Sequence, residues 1–325
     1  MKKSNAEVIN SEFELIQRYF QYRQENREDV ILGIGDDAAL LETPVNKYLA
    51  ISIDTLIEGV HFPLPTSAAD IAYKALAVNL SDMAAMGAQP AWFTLALTLP
   101  EVAIDWLEAF SQSLFEIANQ YKIALVGGDT TRGSLAISIQ IGGYVDRGNA
   151  LLRSGARVGD KIFVTGTLGD AALGLYAIQN NKQDVEIFNS AIQSLNRPVP
   201  RVQTGLNLHT IASACIDISD GLFADLGHIL EASHVGAKIE LNDLPLSCSS
   251  EEVLLSYPEL KDTVMKGGDD YELCFTVAPE NISKLDIIED RITCIGEIVE
   301  ERNLTCVDKN KNIVSCLTTG FDHFS

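Results

Sequence analysis

The sequence has 325 residues, enough for about two domains of ordinary size. Its 45 acidic residues outnumber its 24 Lys and Arg residues, and the net charge of −21 disfavours binding to nucleic acids or anionic membranes. Hydrophobic residues make up 46% of the chain, too many for an intrinsically disordered protein. No stretch has the ~18 consecutive apolar residues of a membrane helix, and the N-terminus lacks a signal peptide, so we expect a cytoplasmic protein.

Helices and strands alternate through the first half of the sequence. Ser11, with Glu14 three residues later, predicts the N-cap of a helix over residues 11–23. Phe13 and Phe20 are expected on one face of that helix. The other elements of this half are predicted as a strand over 48–54, a helix over 70–87 with Asp70 at its N-cap, a strand over 91–99, a helix over 105–121 and strands over 123–126 and 135–145.

The second half repeats this mixture after a stretch rich in Gly and Arg, residues 146–160. Its elements are predicted as a strand over 161–166, a helix near 170–179, a strand over 214–218, a helix over 222–233 and strands near 237–241 and 272–277. The pattern indicates the α/β (α+β) class. We expect a domain boundary within 146–160, and so domains over 1–150 and 151–325.

All six cysteines lie in the second half, and none forms a Cys-x-x-Cys pair. Their spacing disfavours a structural zinc site and a disulfide framework. We expect reduced and mostly buried thiols.

Acidic residues recur beside glycine at the predicted strand ends, where α/β folds usually build their sites. These residues are Asp36, Asp37, Asp54, Asp129, Asp217, Asp220, Asp269 and Asp270. Asp82 is the exception, because it lies within the predicted helix over 70–87. Carboxylates that converge can bind Mg²⁺, and the bound ions would attract a polyphosphate despite the negative net charge. The alternative for any single motif is an ordinary turn or helix cap.

Other phosphate-binding and catalytic motifs are missing from the sequence. It has no G-x-x-x-x-G-K-[ST] loop, no third glycine of a dinucleotide fingerprint, no protein-kinase H-R-D or D-F-G motif and no G-x-S-x-G. His61 follows the acidic strand, but a lone histidine is more often structural.

Eight segments, in order from residue 33 to the C-terminus, carry a joint resemblance: GIGDDAALLE (33–42), LAISIDTLIEGVHF (49–62), YKALAVNLSDMAAMGAQPAW (73–92), GGDTTRG (127–133), RSGARVGDKIFVTGTLGDAALGL (153–175), CIDISDGLFADLGHI (215–229), KGGDDYELCFT (266–276) and GFDHF (320–324). Together they resemble the thiamine-monophosphate kinases, within the superfamily of aminoimidazole-ribonucleotide synthetase-like ATP enzymes. The His-Phe after the acidic strand and the terminal GFDHF favour this family over its relatives.

The resemblance implies transfer of the γ-phosphoryl group of ATP to thiamine monophosphate, giving thiamine diphosphate. It implies a two-domain synthetase-like fold, with an N-terminal mixed sheet that pairs across a homodimer and a C-terminal α/β domain. ATP and thiamine monophosphate are the expected small-molecule partners, with no nucleic acid and no membrane. Several Mg²⁺ ions are expected as cofactors.

The family's functional positions can be carried over to this sequence. The implied Mg²⁺ ligands are Asp37, Ser52, Ile53, Asp54, Asp82, Asp129, Asp217 and Asp220, with Ile53 contributing through its backbone. The implied ATP contacts are Tyr121, Gly128, Asp129, Arg153 and Ser219. The implied contacts to thiamine monophosphate are His61, Asp269 and Phe321. Asp82, Asp129 and Asp220 are the expected catalytic residues.

Two alternatives remain at this point. One is another member of the same superfamily that phosphorylates a different acceptor. A selenium-handling member is disfavoured, because it would carry a reactive Cys near the N-terminus and the first cysteine here is Cys215. The other is a non-catalytic dimeric scaffold that binds divalent ions or nucleotide.

Overall fold

The computed structural model describes residues 11–21 and 27–314. The chain divides into two compact units, each built from separate stretches of sequence. The first comprises Met1–Val45, Ile53–Leu76 and Pro90–Gly142, and the second comprises Asn46–Ser52, Ala77–Gln89 and Gly143–Ser325. The domain boundary expected within 146–160 stays a prediction.

The strands of the described residues are β1 (Val30–Leu32), β2 (Leu40–Leu41), β3 (Lys47–Ile57), β4 (Gln89–Leu99), β5 (Ala124–Arg132), β6 (Ala136–Asp146), β7 (Lys161–Thr165), β8 (Ala212–Asp217), β9 (Gly236–Glu240), β10 (Leu273–Val277), β11 (Ile292–Val299), β12 (Leu304–Val307) and β13 (Ile313–Val314). The α-helices are α1 (Glu12–Ile16), α2 (Ala68–Ala85), α3 (Ile104–Tyr121), α4 (Asp170–Gln179), α5 (Asn189–Asn196), α6 (Val202–Leu208), α7 (Leu222–Ser233), α8 (Cys248–Ser256) and α9 (Lys261–Lys266). A π-helical turn, Gln17–Gln21, follows α1 directly.

Three sheets organise these strands. The first is the small antiparallel pair of β1 and β2. The second has the order β3-β6-β4-β5, with β4 and β5 parallel. The third has seven strands in the order β13-β12-β9-β11-β7-β10-β8, and it is mixed because β12 runs parallel to β9 while β10 is antiparallel to both β7 and β8. The α/β (α+β) class expected from the sequence is confirmed.

The N-terminal helix is shorter than predicted, although its start is confirmed. The Ser11 hydroxyl accepts the Glu14 backbone N–H at 3.2 Å, which is the predicted N-cap bond. The α-helix ends at Ile16, and residues 22 and 23 lie outside the described residues. Phe20 is buried as expected, but Phe13 is 81% exposed, because the π-helical turn changes the rotation of the residues that follow.

Two further element boundaries differ from the predictions. Helix α2 begins at Ala68, and the cap is Ser67, whose hydroxyl accepts the backbone N–H of Asp70 at 3.1 Å. Asp70 therefore lies in the first turn, where a carboxylate is favoured by the helix dipole. Strand β3 continues to Ile57, so Asp54 lies inside the strand and not at its end.

The second unit has a core between the seven-stranded sheet and helix α7. The helix buries Leu222, Leu226 and Ile229, which share one face at helical spacing. All five residues of β10 are buried, as expected for a central strand with an apolar sequence. This packing holds the chain segments that precede α7 and β10, and both segments carry predicted site residues.

The cysteines differ in part from the expectation of reduced, buried thiols. Cys215 and Cys274 are free and buried, whereas Cys248 and Cys294 are free and exposed. Cys306 is disulfide-bonded, which contradicts the expectation for that residue. Among the helices of residues 11–21 and 27–314, none combines the length and the hydropathy that crossing a membrane requires.

Candidate functional site

A cavity of about 650 Å³ in the first unit contains three of the predicted site residues. Asp37 lines it from the loop between β1 and β2, and Gly128 and Asp129 line it from β5. Phe13 and Phe20 supply apolar surface to the same cavity. Asp129 lies within β5 and not at its end, because this strand continues to Arg132, beyond the predicted end at residue 126. The cavity therefore combines carboxylates, exposed backbone and apolar surface.

Gly128 is required by the close approach of two strands. Its φ is +155°, and it pairs with Leu95 in the parallel ladder of β4 and β5. A Cβ on Gly128 would lie 1.9 Å from the Leu95 carbonyl oxygen. A Cβ on the preceding Gly127 would meet nothing within 4 Å. The close contact is therefore specific to the second glycine of the GGD motif.

The alternation of strand β3 separates its three predicted metal ligands. Ser52 and Asp54 are half-buried and lie two residues apart, so their side chains share one face. Ile53 lies between them with 62% of its surface exposed, on the opposite face.

Two carboxylates of the second unit, Asp82 on α2 and Asp217 at the end of β8, lie close enough to interact electrostatically. The Ser52 hydroxyl donates to Asp82 Oδ2 at 2.5 Å, and the Ser81 hydroxyl donates to Asp217 Oδ2 at 2.7 Å. Burial raises the pKa of Asp217 to about 7, and the negative charge of Asp82 adds to this increase. The pair is therefore an unfavourable concentration of negative charge, which a cation would relieve.

A carboxylate from the first turn of α7 fixes the DISDG segment, residues 217–221. Asp225 Oδ2 accepts the backbone N–H groups of Ser219, Asp220 and Gly221 at 2.9, 3.0 and 3.1 Å. Burial raises the pKa of Asp225 to about 7, and the charge of Asp220 contributes. Three consecutive N–H groups directed at one oxygen hold this loop in a single conformation, and with it the predicted ligand Asp220 and the predicted ATP contact Ser219.

The GGDD segment, residues 267–270, is hydrogen-bonded to the DISDG segment. The Asp269 backbone N–H donates to the Ser219 carbonyl oxygen at 2.8 Å. One Asp269 carboxylate oxygen accepts the Tyr271 hydroxyl at 3.0 Å. The Asp270 carboxylate instead accepts the Gly169 backbone N–H at the start of α4, and so it stabilises the N-terminus of that helix. Burial raises the pKa of Asp270 well above its usual value.

The loop that carries Arg153 is held by the last residue of α7. The Ser233 hydroxyl accepts the backbone N–H groups of Gly155 and Ala156, each at 3.1 Å, and donates to the Arg153 carbonyl oxygen at 3.2 Å. Helix α7 therefore supports the DISDG loop at its N-terminus and the Arg153 loop at its C-terminus. The Arg153 side chain itself is exposed.

The remaining predicted residues lie apart from these clusters. His61 is half-buried and its Nδ1 accepts the Ile57 backbone N–H at 3.0 Å, so the neutral ring carries its proton on Nε2. Tyr121 is the last residue of α3 and is half-buried. Phe321 lies outside the described residues.

The structure thus joins six predicted residues of the second unit through direct contacts or short neighbouring segments: Ser52, Asp82, Asp217, Ser219, Asp220 and Asp269. Among the described residues, no group of three or more His, Cys, Asp or Glu side chains has an arrangement that could hold a metal ion. The sequence analysis missed Ser81, Asp225 and Ser233, because a serine or aspartate within a helix gives no signal in the sequence for the hydrogen bonds it makes outside that helix.

Comparison with known proteins identifies the family. Residues 35–145 match the model of the AIR synthase related protein N-terminal domain, and residues 157–309 match that of the C-terminal domain. The chain is 49% identical to the thiamine-monophosphate kinase of Escherichia coli K12, over 97% of this chain and 98% of that protein. The chain belongs to the thiamine-monophosphate kinase family. The resemblance found in the sequence is therefore confirmed.

Two solved structures extend this result to the fold. The thiamine-monophosphate kinase of Stenotrophomonas maltophilia K279a is 48% identical, with a TM-score of 0.81 over 86% of this chain and 92% of that chain. A second structure, AaThiL complexed with AMPPCP and TMP, is 33% identical, with a TM-score of 0.78 over 90% of this chain and 92% of that chain. The fold of the family is therefore the fold of this chain.

Proposed function

We propose that this protein transfers the γ-phosphoryl group of ATP to the phosphate of thiamine monophosphate, forming thiamine diphosphate and ADP. The observation that carries this conclusion is the match to AaThiL complexed with AMPPCP and TMP, which extends over 90% of this chain. The 49% identity to the thiamine-monophosphate kinase of Escherichia coli K12 supports the same activity. The enzyme is a phosphotransferase that uses ATP as its co-substrate.

The proposed ATP contacts are supported by the local geometry of each residue. Gly128 leaves backbone exposed in a cavity of about 650 Å³, a volume suited to a small ligand. Asp129 and the half-buried Tyr121 belong to the same unit. In the second unit, Arg153 offers a guanidinium for phosphate charge, and Ser219 lies in a rigid loop.

The residues present fit Mg²⁺, although the described residues hold no cluster of three acidic ligands. Mg²⁺ is usually bound by one or two carboxylates, several waters and substrate phosphates. Asp82 and Asp217, with the Ser52 hydroxyl, supply the hard oxygen donors and the negative charge for such a site. We further propose Asp37, Ile53 (through its backbone), Asp54, Asp129 and Asp220 as ligands of several ions.

The acceptor side is proposed at Asp269, His61 and Phe321. The Asp269 carboxylate has a defined direction because Tyr271 donates to one of its oxygens. The Nε2–H of His61 can donate a hydrogen bond to a phosphate or pyrimidine acceptor. Phe321 stays a prediction.

The proposed mechanism is direct in-line transfer without a phosphoenzyme. The acceptor phosphate oxygen is already ionised near neutral pH, so the reaction requires no strong general base. Repulsion between donor and acceptor is the main obstacle: two unit charges 4 Å apart at an effective dielectric constant near 20 repel by about 4 kcal/mol. That energy corresponds to roughly three decades in rate. Asp82, Asp129 and Asp220 are the proposed catalytic carboxylates, and the Mg²⁺ that they would hold would neutralise this charge.

We also propose a homodimer that forms through β3. This strand lies at the edge of its sheet, so one row of its backbone groups faces away from the other strands. Leu49, Ile51 and Ile53 are 43%, 53% and 62% exposed along it. Sedimentation velocity would test this proposal: a dimer that Ile51→Lys dissociates is expected, and a monomeric wild type would refute it. The cytoplasmic location stays a prediction.

The activity is tested by incubating the purified protein with ATP, MgCl₂ and thiamine monophosphate, followed by chromatography of the thiamine species. We expect thiamine diphosphate only when both ATP and Mg²⁺ are present. The Asp82→Asn variant serves as the site control. Binding of the ATP analogue without any thiamine diphosphate would refute the proposal and favour a related enzyme with a different acceptor. Binding without ADP formation from any acceptor would favour a scaffold.

A further inference from the structure

A buried ion-pair network lies beside the segment that carries Asp269. Arg201 Nε and Nη2 donate to the two carboxylate oxygens of Glu272 at 2.7 and 2.6 Å, and Nη1 donates to Asp290 Oδ1 at 2.9 Å. The Thr165 hydroxyl donates to the same Glu272 carboxylate at 2.5 Å. The side chains of Arg201 and Glu272 are only 17% and 8% exposed. A planar two-bond pair of this kind fixes both distance and orientation.

The backbone just before Glu272 is in an unusual conformation. Asp269 and Tyr271 have φ values of +65° and +51°, which side chains with a Cβ rarely adopt. Such conformations persist only where the surroundings determine them, and they concentrate at functional sites. The Tyr271 N–H donates to the Ile218 carbonyl oxygen, and the Glu272 carbonyl oxygen accepts the Ile218 N–H, each at 2.8 Å. Glu272 therefore fixes the C-terminal end of the segment 269–271, through its backbone to Ile218 and through its side chain to Arg201.

The pair is tightly packed on the side of Gly166 and borders a cavity on another side. A Cβ on Gly166 would lie 2.0 Å from Glu272 Oε1 and 2.7 Å from Arg201 Nη2. A cavity of about 140 Å³ is lined by Arg201, Glu272 and Asp269 together. Loss of the pair would therefore act directly on the segment that forms one wall of this cavity.

The geometry points to Arg201 as a positioning residue for the acceptor: through Glu272 it holds Asp269 and Tyr271 in their positive-φ conformations and directs the Asp269 carboxylate toward thiamine monophosphate. This inference rests on the proposed function. Arg201 itself contacts Glu272 and Asp290 and acts through them. The test must therefore separate binding of the acceptor from binding of ATP.

Two conservative variants remove the two-bond pair in different ways. Arg201→Lys keeps the positive charge but loses the guanidinium group that makes two parallel hydrogen bonds. Glu272→Gln keeps the shape of the side chain but loses its negative charge. We expect both to raise the KM for thiamine monophosphate at least about tenfold at saturating ATP, equal to about 1.4 kcal/mol. The KM for ATP should stay within about twofold, because the Asp225 contacts that hold residues 219–221, and with them the proposed ATP contact Ser219, remain.

A matched control exists in the first unit. Arg27 makes the same kind of two-bond pair with Asp29: its Nε donates to Oδ1 and its Nη2 to Oδ2, each at 2.8 Å. Its Nη1 donates to the Lys122 carbonyl oxygen at 2.8 Å. Arg27→Lys should leave the KM for thiamine monophosphate unchanged. A double-mutant cycle supplies the second readout: in an Asp269→Asn background, Arg201→Lys should raise the acceptor KM by less than about twofold further.

The outcomes are distinct. An inactive wild-type protein would refute the proposed function, whereas an active wild type with unchanged acceptor KM in both variants would overturn only the role of Arg201. Equal increases in the two KM values, or additive effects of Arg201→Lys and Asp269→Asn, would also overturn it. Unfolding of both variants at the assay temperature, read from thermal melts, would assign the pair to stability alone and reject the inference.

Discussion

Replacing Gly128 by Ala should destabilise the first unit and disturb a proposed ATP contact. The new Cβ would lie 1.9 Å from the Leu95 carbonyl oxygen, whereas Cβ contacts below 3.0 Å are essentially never observed. Strands β4 and β5 would have to separate locally by about 1 Å, which breaks ladder hydrogen bonds worth about 1 kcal/mol each. A φ of +155° adds about 1–3 kcal/mol of backbone strain for alanine. We therefore expect a loss of about 3–5 kcal/mol in the free energy of unfolding.

Gly127→Ala is the matched control, since its Cβ would meet nothing within 4 Å. Thermal unfolding followed by circular dichroism should show a Tm lower by about 10 °C for Gly128→Ala and by less than about 3 °C for the control. Titration with a non-hydrolysable ATP analogue should show weaker binding by Gly128→Ala. Equal Tm values for the two variants would refute the steric argument.

Four further changes test the remaining contacts. Asp82→Asn should lose most of its turnover without a lower Tm, because the substitution removes repulsion from Asp217; near wild-type turnover would contradict its assignment. Ser233→Ala removes the acceptor of two N–H groups in the Arg153 loop and should raise the KM for ATP about fivefold, measured at saturating acceptor. Asp225→Ala leaves three N–H groups without their acceptor and should lower kcat/KM for ATP at least about tenfold. An unchanged value would show that residues 219–221 keep their conformation without Asp225. Chelation of Mg²⁺ should abolish product formation reversibly, and full activity in excess chelator would reject the proposed metal sites.

The elements that the sequence predicted well are those with a strong apolar period. Helix α7 was predicted over 222–233 and is found at Leu222–Ser233, because its apolar residues recur at helical spacing. Helix α3 agrees to within one residue. The missed elements are mostly short, including β1, β2, α6, α9 and β13, and two to seven residues carry too little periodicity to identify. Pairing with a partner strand defines β1, β2 and β13, whose residues are half-buried or exposed.

In the candidate site, too, some positions agree with the sequence predictions and others do not. The acids before β10 and at the end of β8 lie where the sequence placed them, but β3 and β5 extend past Asp54 and Asp129. Neighbouring strands can prolong a strand beyond its apolar run, because ladder hydrogen bonds depend on the partner backbone and not on the side chains. Sequence patterns therefore located the acids but not their positions along two of the strands.

The sequence by itself determined the family and the kinds of groups available: carboxylates beside glycine, a histidine after an acidic strand and no other phosphate-binding loop. Only the tertiary structure decided which groups meet. Ser81 reaches Asp217 across 136 positions of sequence, and Arg201 reaches Glu272 across 71. The physical reason is that hydrogen bonds and ion pairs act over a few ångströms, so they depend on how the whole chain packs. Local sequence sets the propensity for helix or strand and the chemical groups available, whereas packing of the whole chain sets the distances between those groups.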